Sequence, residues 1–177
     1  VGDSPVFTCP PSPNITVLMW KIRPKVGGPC ILGYRADTNM TDRTNCSDSM
    51  KWKYRPDLVP DLEIQQVGIA QEGNYICEVA TPDRNLHIIY HLTVLVPPRL
   101  SLYCDEHGHP VCEAAAGKPP AKVLWLPQNN SSLEEERHNN GTVTVLSRLT
   151  TACGTNVTDT TCMVFHPAGN WNESIAC

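Results

Sequence analysis

Cysteine and histidine are the residue types in this chain whose spacing could support chemistry. Nine cysteines occur among 177 residues, and no Cys-x-x-Cys pair indicates a zinc ribbon or a thioredoxin-like redox site. His107 and His109 lie between Cys104 and Cys112, but this spacing matches no common closed zinc site, and a polar turn between strands is the better interpretation. Metalloprotease, serine-hydrolase and phosphate-loop motifs are missing from the sequence. We therefore expect disulfides, and we expect neither an enzyme nor a cofactor or metal.

Asparagine is the second residue type with recognisable chemistry, because Asn-x-Ser/Thr sequons accept N-linked sugars. Eight sequons begin at Asn14, Asn39, Asn45, Asn129, Asn130, Asn140, Asn156 and Asn172. So many sequons beside nine cysteines predict the secretory pathway and a glycosylated extracellular surface. Asn129 and Asn130 are adjacent, so we do not expect both to carry a sugar.

The composition excludes several other classes of protein. Lys and Arg number 14 against 18 Asp and Glu, so the net charge of −4 offers no basic excess for nucleic acid or an anionic membrane. Hydrophobic residues make up 41% of the chain, which is enough for packed cores. No run of about 18 apolar residues occurs, so we expect none of these residues to span a membrane. No feature predicts a small-molecule substrate.

The elements that must position these residues are predicted to be short β-strands. Leu62 and Ile64 alternate with polar neighbours, and the same period of two recurs over 90–96 and 142–145. Clusters of Pro, Gly, Asn and Asp separate these runs, as in an all-β sandwich or barrel. The only candidate for a helix is the short stretch 132–137, whose acidic residues we expect in a solvated loop.

A Cys…Trp…Cys arrangement occurs twice along the chain. The two copies are Cys9, Trp20 and Cys77, then Cys112, Trp125 and Cys162. In an immunoglobulin-like sandwich, strands B and F supply an inter-sheet disulfide on which a strand C tryptophan packs. Tyr75 precedes the first copy's last cysteine by two residues, as a tyrosine corner requires, whereas Thr160 occupies that position in the second. The prediction is two tandem immunoglobulin-like sandwiches.

The two cysteine intervals differ in length and predict different domain types. The interval from Cys9 to Cys77 leaves room for the extra strands C′ and C″ of a variable-type domain. The shorter interval from Cys112 to Cys162 suits a constant-type domain, which we assign to the C2 type. Pro97 and the proline after it stiffen the joint, so we place the domains at 1–96 and 97–177.

Five cysteines remain outside the two core bridges. Cys30 and Cys46 both lie in the C′–D region, where a disulfide would hold the sheet edge. Cys104, Cys153 and Cys177 leave an odd number in the second domain. A Cys104–Cys177 bridge would join the first and last strands, and Cys104–Cys153 is the rival. The third cysteine is then free or bonded to another chain.

Strand alternation also assigns the outward-facing residues of the first domain. Trp20 must point inward to meet the bridge, so Met19 and Lys21 point outward. The same reasoning assigns the outward-facing residues of strands F and G, and the loop between these strands lies at one end of the same face. The predicted ligand-binding residues are Met19, Lys21, Ile76, Glu78, Ile89 and His91 on the strands, and Thr81, Pro82, Asp83, Arg84, Asn85, Leu86 and His87 in the F–G loop.

This predicted face has an apolar centre and a polar rim, which is typical of a recognition surface. The F–G stretch 75–95 contains no sequon, whereas the C′–D region carries Asn39 and Asn45. A sugar-free window on a glycosylated domain is where a protein partner could dock. We therefore predict a non-enzymatic binding module that uses this face.

The chain also resembles a known family along almost its whole length, the receptors for the OX-2 membrane glycoprotein (the CD-200 receptors). The most specific stretches are Arg-Pro-Asp at 55–57, Ala-Thr-Pro-Asp at 80–83, Tyr-His-Leu at 90–92, Val-Leu-Val-Pro at 94–97, Ala-Gly-Lys-Pro at 116–119 and Asn-Gly-Thr-Val-Thr-Val at 140–145. Cys30 and Cys46 also match an additional cysteine pair of that family.

The resemblance implies the extracellular part of a single-pass type I receptor in the membrane of myeloid or related immune cells. It implies that the outer face of the N-terminal domain binds an immunoglobulin-superfamily glycoprotein of the OX-2 type on another cell, and that the second domain lies nearer the membrane. Some members of the family inhibit through cytoplasmic tyrosines, and others associate with an activating adaptor.

The chain departs from the family pattern in its F–G loop. Arg84 replaces a glycine and Leu86 replaces a phenylalanine, which adds charge at the expected interface. These departures leave two alternatives open: a receptor-like paralogue with a different ligand, or a homophilic adhesion protein.

Overall fold

The computed structural model describes residues 1–150 and 159–177, and divides the chain into Val1–Val94 and Leu95–Cys177. This division falls two residues before the predicted one. Each unit is an all-β sandwich, as the alternating pattern predicts. In the described residues, no helix is long and apolar enough to cross a membrane.

The first domain pairs a small sheet with a large one. The small sheet contains β1 (Val6–Phe7), β5 (Met50–Trp52) and β6 (Leu62–Ile64), in the order β1-β6-β5. The large sheet contains β2 (Val17–Pro24), β3 (Cys30–Arg35), β4 (Met40–Thr44), β7 (Gly73–Ala80) and β8 (Asn85–Leu92), in the order β4-β3-β2-β7-β8. The large sheet has the C″-C′-C-F-G order of a variable-type domain.

The second domain has a four-plus-three arrangement. One sheet contains β9 (Arg99–Cys104), β10 (Pro110–Gly117), β12 (Ser131–Arg137) and β13 (Val143–Leu149), in the order β12-β13-β10-β9. The other contains β11 (Lys122–Leu126), β14 (Thr160–Phe165) and β15 (Trp171–Ile175), in that order. These are the ABED and CFG sheets of a constant-type domain. The C2 subtype expected from the sequence would pair β12 with β11. Because β12 pairs with β13 instead, the second domain does not have the C2 arrangement.

The prediction of a short helix or loop over 132–137 is wrong, because these residues form the edge strand β12. Its backbone pairs with β13 from Ser131 opposite Leu149 to Arg137 opposite Val143. Every side chain of β12 is exposed. Charged side chains on an exposed edge discourage pairing with other chains, so the acidic run suits this place as a strand.

Both cores are built on the predicted bridges. Cys9 is bonded to Cys77 and Cys112 to Cys162, and each tryptophan packs in the same buried cluster as its bridge. The indole N–H of Trp20 donates to the carbonyl of Pro60 at 3.2 Å, which satisfies the one polar atom that burial would penalise.

The tyrosine corner of the first domain is also present. The hydroxyl of Tyr75 donates to the backbone carbonyl of Gln71, and burial raises the pKa of this phenol. Thr160 is buried at the equivalent place in the second domain.

Two further disulfides are present, one in each domain. Cys30 is bonded to Cys46, which ties β3 to the chain that follows β4. Cys104 is bonded to Cys177 with a Cα–Cα distance of 5.8 Å. Cys153 lies outside the described residues, as does the sequon at Asn156.

The turn between β9 and β10 contains the histidine pair. Oδ1 of Asp105 accepts hydrogen bonds from the backbone N–H groups of His107 and His109, at 2.9 and 2.8 Å. These contacts form a polar turn, as the sequence indicates.

Candidate ligand-binding face

The outer surface of the large sheet in the first domain carries most of the predicted ligand-binding residues. On β2 the buried residues are Leu18, Trp20 and Ile22, so Met19 and Lys21 point to the opposite side. We call the outer surface of β2, β7 and β8 the GFC face; its members are Met19, Lys21, Ile76, Glu78, His87, Ile89 and His91.

The strand register arranges these side chains in rows across the sheet. Ile76 on β7 lies opposite Ile89 on β8 and opposite Lys21 on β2. Directly opposite side chains share a face and contact each other. Ile89 is 61% exposed, which is high for an isoleucine in a strand. The apolar centre of the face is therefore the Ile76–Ile89 pair.

A second row lies beside the first. Glu78 is opposite Met19 on one side and His87 on the other. The Nζ atom of Lys21, in the first row, lies 3.1 Å from Oε2 of Glu78, in the second row. The positive charge of one row is therefore paired with the negative charge of the other. An exposed pair of this kind contributes about 0–1 kcal/mol to stability. It leaves the centre of the face without a net charge.

The rim next to β8 is polar. Nδ1 of His91 lies 2.8 Å from Oδ1 of Asn74, its cross-strand neighbour. Both residues are exposed. An apolar centre beside polar groups that can exchange their hydrogen bonds is suited to binding a protein.

The F–G loop is shorter than the predicted 81–87. Only Thr81–Arg84 connect the strands, because β8 begins at Asn85. The hydroxyl of Thr81 donates to the carbonyl of Arg84 at 2.9 Å and accepts from its N–H at 3.1 Å. Arg84 does not occupy the positive-φ region, so the turn accepts an arginine without backbone strain.

Leu86 does not extend the face as predicted. It is half-buried and packs against the core, because it alternates with His87, whose side chain is exposed. One side of Leu86 nevertheless lines an open depression of about 320 Å³ at the loop end of the face. The other lining residues are Val17, Met19, Glu78, Val79, Ala80, Asn85 and His87.

The sequons of the first domain surround this face without interrupting it. Asn39 and Asn45 flank the edge strand β4, on the far side of the sheet from β8. Asn14 lines a second depression together with Thr81 and Arg84, so its sugar would stand beside the F–G loop. Sequence reasoning missed this neighbour, although the B–C and F–G loops lie at the same end of every variable-type sandwich.

In the second domain the described sequons are at exposed positions. Asn129, Asn130 and Asn140 lie in loops, and Asn172 lies in β15. Oδ1 of Asn140 accepts from the backbone N–H of Thr142 at 3.0 Å. That contact leaves its amide nitrogen, the atom that receives a sugar, available.

Known proteins of the same architecture identify the family. No protein-family model matches the chain. Cell surface glycoprotein CD200 receptor 1-B of Gallus gallus is 51% identical over all 177 residues, which cover 72% of that protein. CD200 receptor 1-A of Gallus gallus and CD200 receptor 1 of Bos taurus are 50% and 43% identical, and the chain covers 59% and 50% of their lengths.

Solved structures agree with the relationship that these sequences indicate. The extracellular portion of mouse CD200RLa superposes with a TM-score of 0.92 at 34% identity, over 99% of this chain and 94% of that one. Bovine butyrophilin, at a TM-score of 0.67 and 17% identity over 100% of this chain and 92% of that one, shares the fold alone. The chain belongs to the CD200 receptor family, and its two domains are extracellular domains of a cell-surface immune receptor.

Proposed function

We propose that the GFC face of the first domain binds an immunoglobulin-superfamily glycoprotein of the OX-2 (CD200) type, displayed on another cell. The observation that carries this proposal is the Ile76–Ile89 pair, in which Ile76 is half-buried and Ile89 is exposed, at the centre of a face on which Lys21 and Glu78 are paired with each other. Exposed apolar clusters with polar rims mark protein interaction sites. The names of the relatives support this class of ligand.

The depression beside His87 and Met19 supports the same face, since it offers a recess for one side chain of a partner. The sequon positions support it as well. Sugars at Asn14, Asn39 and Asn45 would stand around the loop end and the β4 edge, and leave the β8 side open to a partner.

The biological consequence we propose is control of myeloid leukocyte activation through contact between two cells. Many copies on facing membranes would strengthen even a weak contact between single copies. In full-length receptors of this family, cytoplasmic tyrosines or an activating adaptor transmit the signal, and we propose one of these routes here.

Surface plasmon resonance with an immobilised CD200 ectodomain tests the face. We expect Ile89→Asp to weaken binding at least tenfold, about 1.4 kcal/mol, because a carboxylate would be desolvated in the apolar centre. Ile76→Asp should behave in the same way, as its cross-strand neighbour.

Leu58→Asp is the matched control, because Leu58 is 64% exposed but lies between β5 and β6, away from the GFC face. We expect this control to bind like the unmodified chain. Equal affinities for all three variants would show that the face is wrong. A folded, unmodified chain that gives no response would favour a different ligand.

A further inference from the structure

The three-stranded sheet of the second domain also has an apolar outer face. On β11 and β14 the residues Trp125, Cys162 and Val164 are buried. Their neighbours along each strand therefore point outward. The outward apolar residues are Leu124, Leu126, Met163 and Phe165. Leu126 is 50% exposed and Phe165 38% exposed, so solvent reaches a contiguous apolar patch in which Lys122 is the only charge on β11.

The strand register places a sequon asparagine on this same face. Asn172 on β15 lies opposite Met163 on β14, and Met163 lies opposite Leu124 on β11. The three residues form one row across the sheet. Phe165 is the diagonal neighbour of Asn172, within reach of a long substituent. The inward neighbour Trp171 packs on the core, which confirms that Asn172 points outward.

We propose that Asn172 carries an N-linked glycan whose first sugars lie over Met163, Phe165 and Leu124, and that this glycan covers the apolar face. The amide nitrogen of Asn172 forms a bond to C1 of the first N-acetylglucosamine and loses one proton. The bond between that C1 and the diphosphate of a lipid-linked oligosaccharide breaks, the lipid diphosphate leaves with the electron pair of that bond, and the proton goes to solvent. The reaction precedes folding, so the later pairing of the Ser174 and Thr161 hydroxyls at 2.7 Å does not oppose it.

The geometry favours a glycan over a protein partner as the occupant of this face. Adjacent strands are about 4.8 Å apart, so the row from Asn172 to Leu124 spans about 10 Å. A chain of sugars rooted at one end of that row extends along it, and the C–H faces of the sugars supply apolar surface. The same sugars would block a protein from approaching the sheet.

The two domains thus differ in whether a strand of the sheet carries a sequon. In the first domain β7 and β8 contain no sequon, and the GFC face stays open. In the second domain the corresponding strand β15 contains one, and its face becomes covered. This inference does not depend on which ligand the first domain binds.

The test uses the whole chain secreted from mammalian cells. Mass spectrometry of glycopeptides should find Asn172 largely occupied. In nuclear magnetic resonance spectra, protons of the first sugars should show contacts to the side chains of Met163, Phe165 and Leu124. The Phe165 ring should also shift the signals of those sugar protons.

Asn172→Gln removes the glycan while keeping an amide of similar size. We expect this variant to bind a hydrophobic dye several-fold more strongly, or to self-associate in sedimentation experiments, because the patch becomes exposed. Adding Leu124→Ser to the variant should reverse the gain. Asn140→Gln is the control, since Asn140 lies in the loop before β13, and it should leave dye binding unchanged.

An unoccupied Asn172 would overturn the proposal. So would an occupied Asn172 whose sugars show no contact to the three side chains, or an Asn172→Gln variant with unchanged dye binding and sedimentation. A self-association that is already present in the glycosylated chain would assign the face to a second copy instead.

Discussion

At the scale of single residues, the two core tryptophans show how a hydrogen bond compensates for the burial of a polar atom. Trp20 and Trp125 each bury an indole ring against a disulfide, and each indole N–H has an acceptor: the carbonyl of Pro60 for one and Oγ of Ser147 for the other. An unmet buried donor costs about 1–3 kcal/mol. The tryptophan can therefore fill the core of each domain only because a partner lies across the sandwich.

Asp105 shows the same principle with a charge. The pKa of Asp105 is held below its usual range, and the largest cause is the hydrogen bond from the backbone N–H of His109. The backbone N–H of His107 and the charges of His109 and Arg148 also lower this pKa, whereas desolvation raises it. Nε of Arg148 lies 3.1 Å from Oδ2 of Asp105. Because folding lowers this pKa, the ionised group stabilises the fold above its unfolded pKa, and that contribution is lost as pH falls through the folded pKa.

We therefore expect Asp105→Asn to lower the stability of the second domain at neutral pH. The asparagine still accepts the two backbone hydrogen bonds but loses the attraction to Arg148. The difference from the unmodified chain should begin to shrink as the pH falls below the unfolded pKa of about 3.9. It should disappear only below the lowered folded pKa, where the carboxylate is protonated in the folded chain as well. Denaturant unfolding at a series of pH values measures it. Glu106→Gln, on the exposed neighbour, should show no such trend, and a pH-independent difference would contradict the explanation.

At the scale of elements, close approach and edge pairing decide which residues each strand accepts. At the start of β7 the backbone of Gly73 lies against that of β2, and a Cβ there would meet the Cα of Pro24 at 2.7 Å. Backbone atoms cannot rotate away as a side chain can. This position therefore requires glycine for space. The edge strand β12 is the opposite case, since its exposed side chains make no demand on size.

Gly73→Ala should consequently destabilise the first domain by about 1–3 kcal/mol, the usual cost of forcing extra volume into a packed region. Gly28→Ala is the control, because a Cβ at Gly28 would meet nothing within 4 Å. Denaturant unfolding, with hydrogen exchange of the β7 amides to assign the transition, measures both. Equal stability of the two variants would show that β2 and β7 separate easily at this point.

At the scale of the whole molecule, three of the disulfides in the described residues, Cys9–Cys77, Cys104–Cys177 and Cys112–Cys162, connect the two layers of a domain. The Cys104–Cys177 bridge connects the end of β9, in one sheet, to the residues after β15, in the other. It lies at the edge where the first and last strands of the domain run side by side. A cross-link over 73 residues stabilises by about 4 kcal/mol in the chain-entropy model.

Peptide mapping of the unreduced chain should therefore recover Cys104 joined to Cys177. The double variant Cys104→Ser/Cys177→Ser should lower the stability of the second domain by up to about 4 kcal/mol. A peptide that joins Cys104 to Cys153 would contradict this arrangement. A matched pair, Cys30→Ser/Cys46→Ser, should affect the first domain only.

Much of the candidate site could be predicted because strand geometry is periodic. Once Trp20 is assigned to the core, the side chains of β2 are assigned to faces by alternation, and Met19 and Lys21 lie outward in the structure as expected. The same reasoning failed where apolar residues do not alternate with polar ones. The stretch 132–137 has a single apolar residue, Leu133, which is exposed, and its backbone pairing with β13 can be known only from the assembled sheet.

The residues at which strands begin and end could not be predicted from local patterns either. Asn85 and His87 belong to β8 rather than to a loop, because cross-strand pairing with β7 continues up to Ala80. No residue in the stretch signals this limit.

The sequence alone determined the two cores, their bridges and the all-β class. Cysteine spacing and the alternation of apolar with polar residues are local patterns that burial imposes. The family follows as well, from motifs spread along the chain. The tertiary structure alone decided which strands are neighbours. It brought Asn14 beside the F–G loop and Asn172 into the row of Met163 and Leu124, since hydrogen-bonded register joins residues that are far apart in the chain.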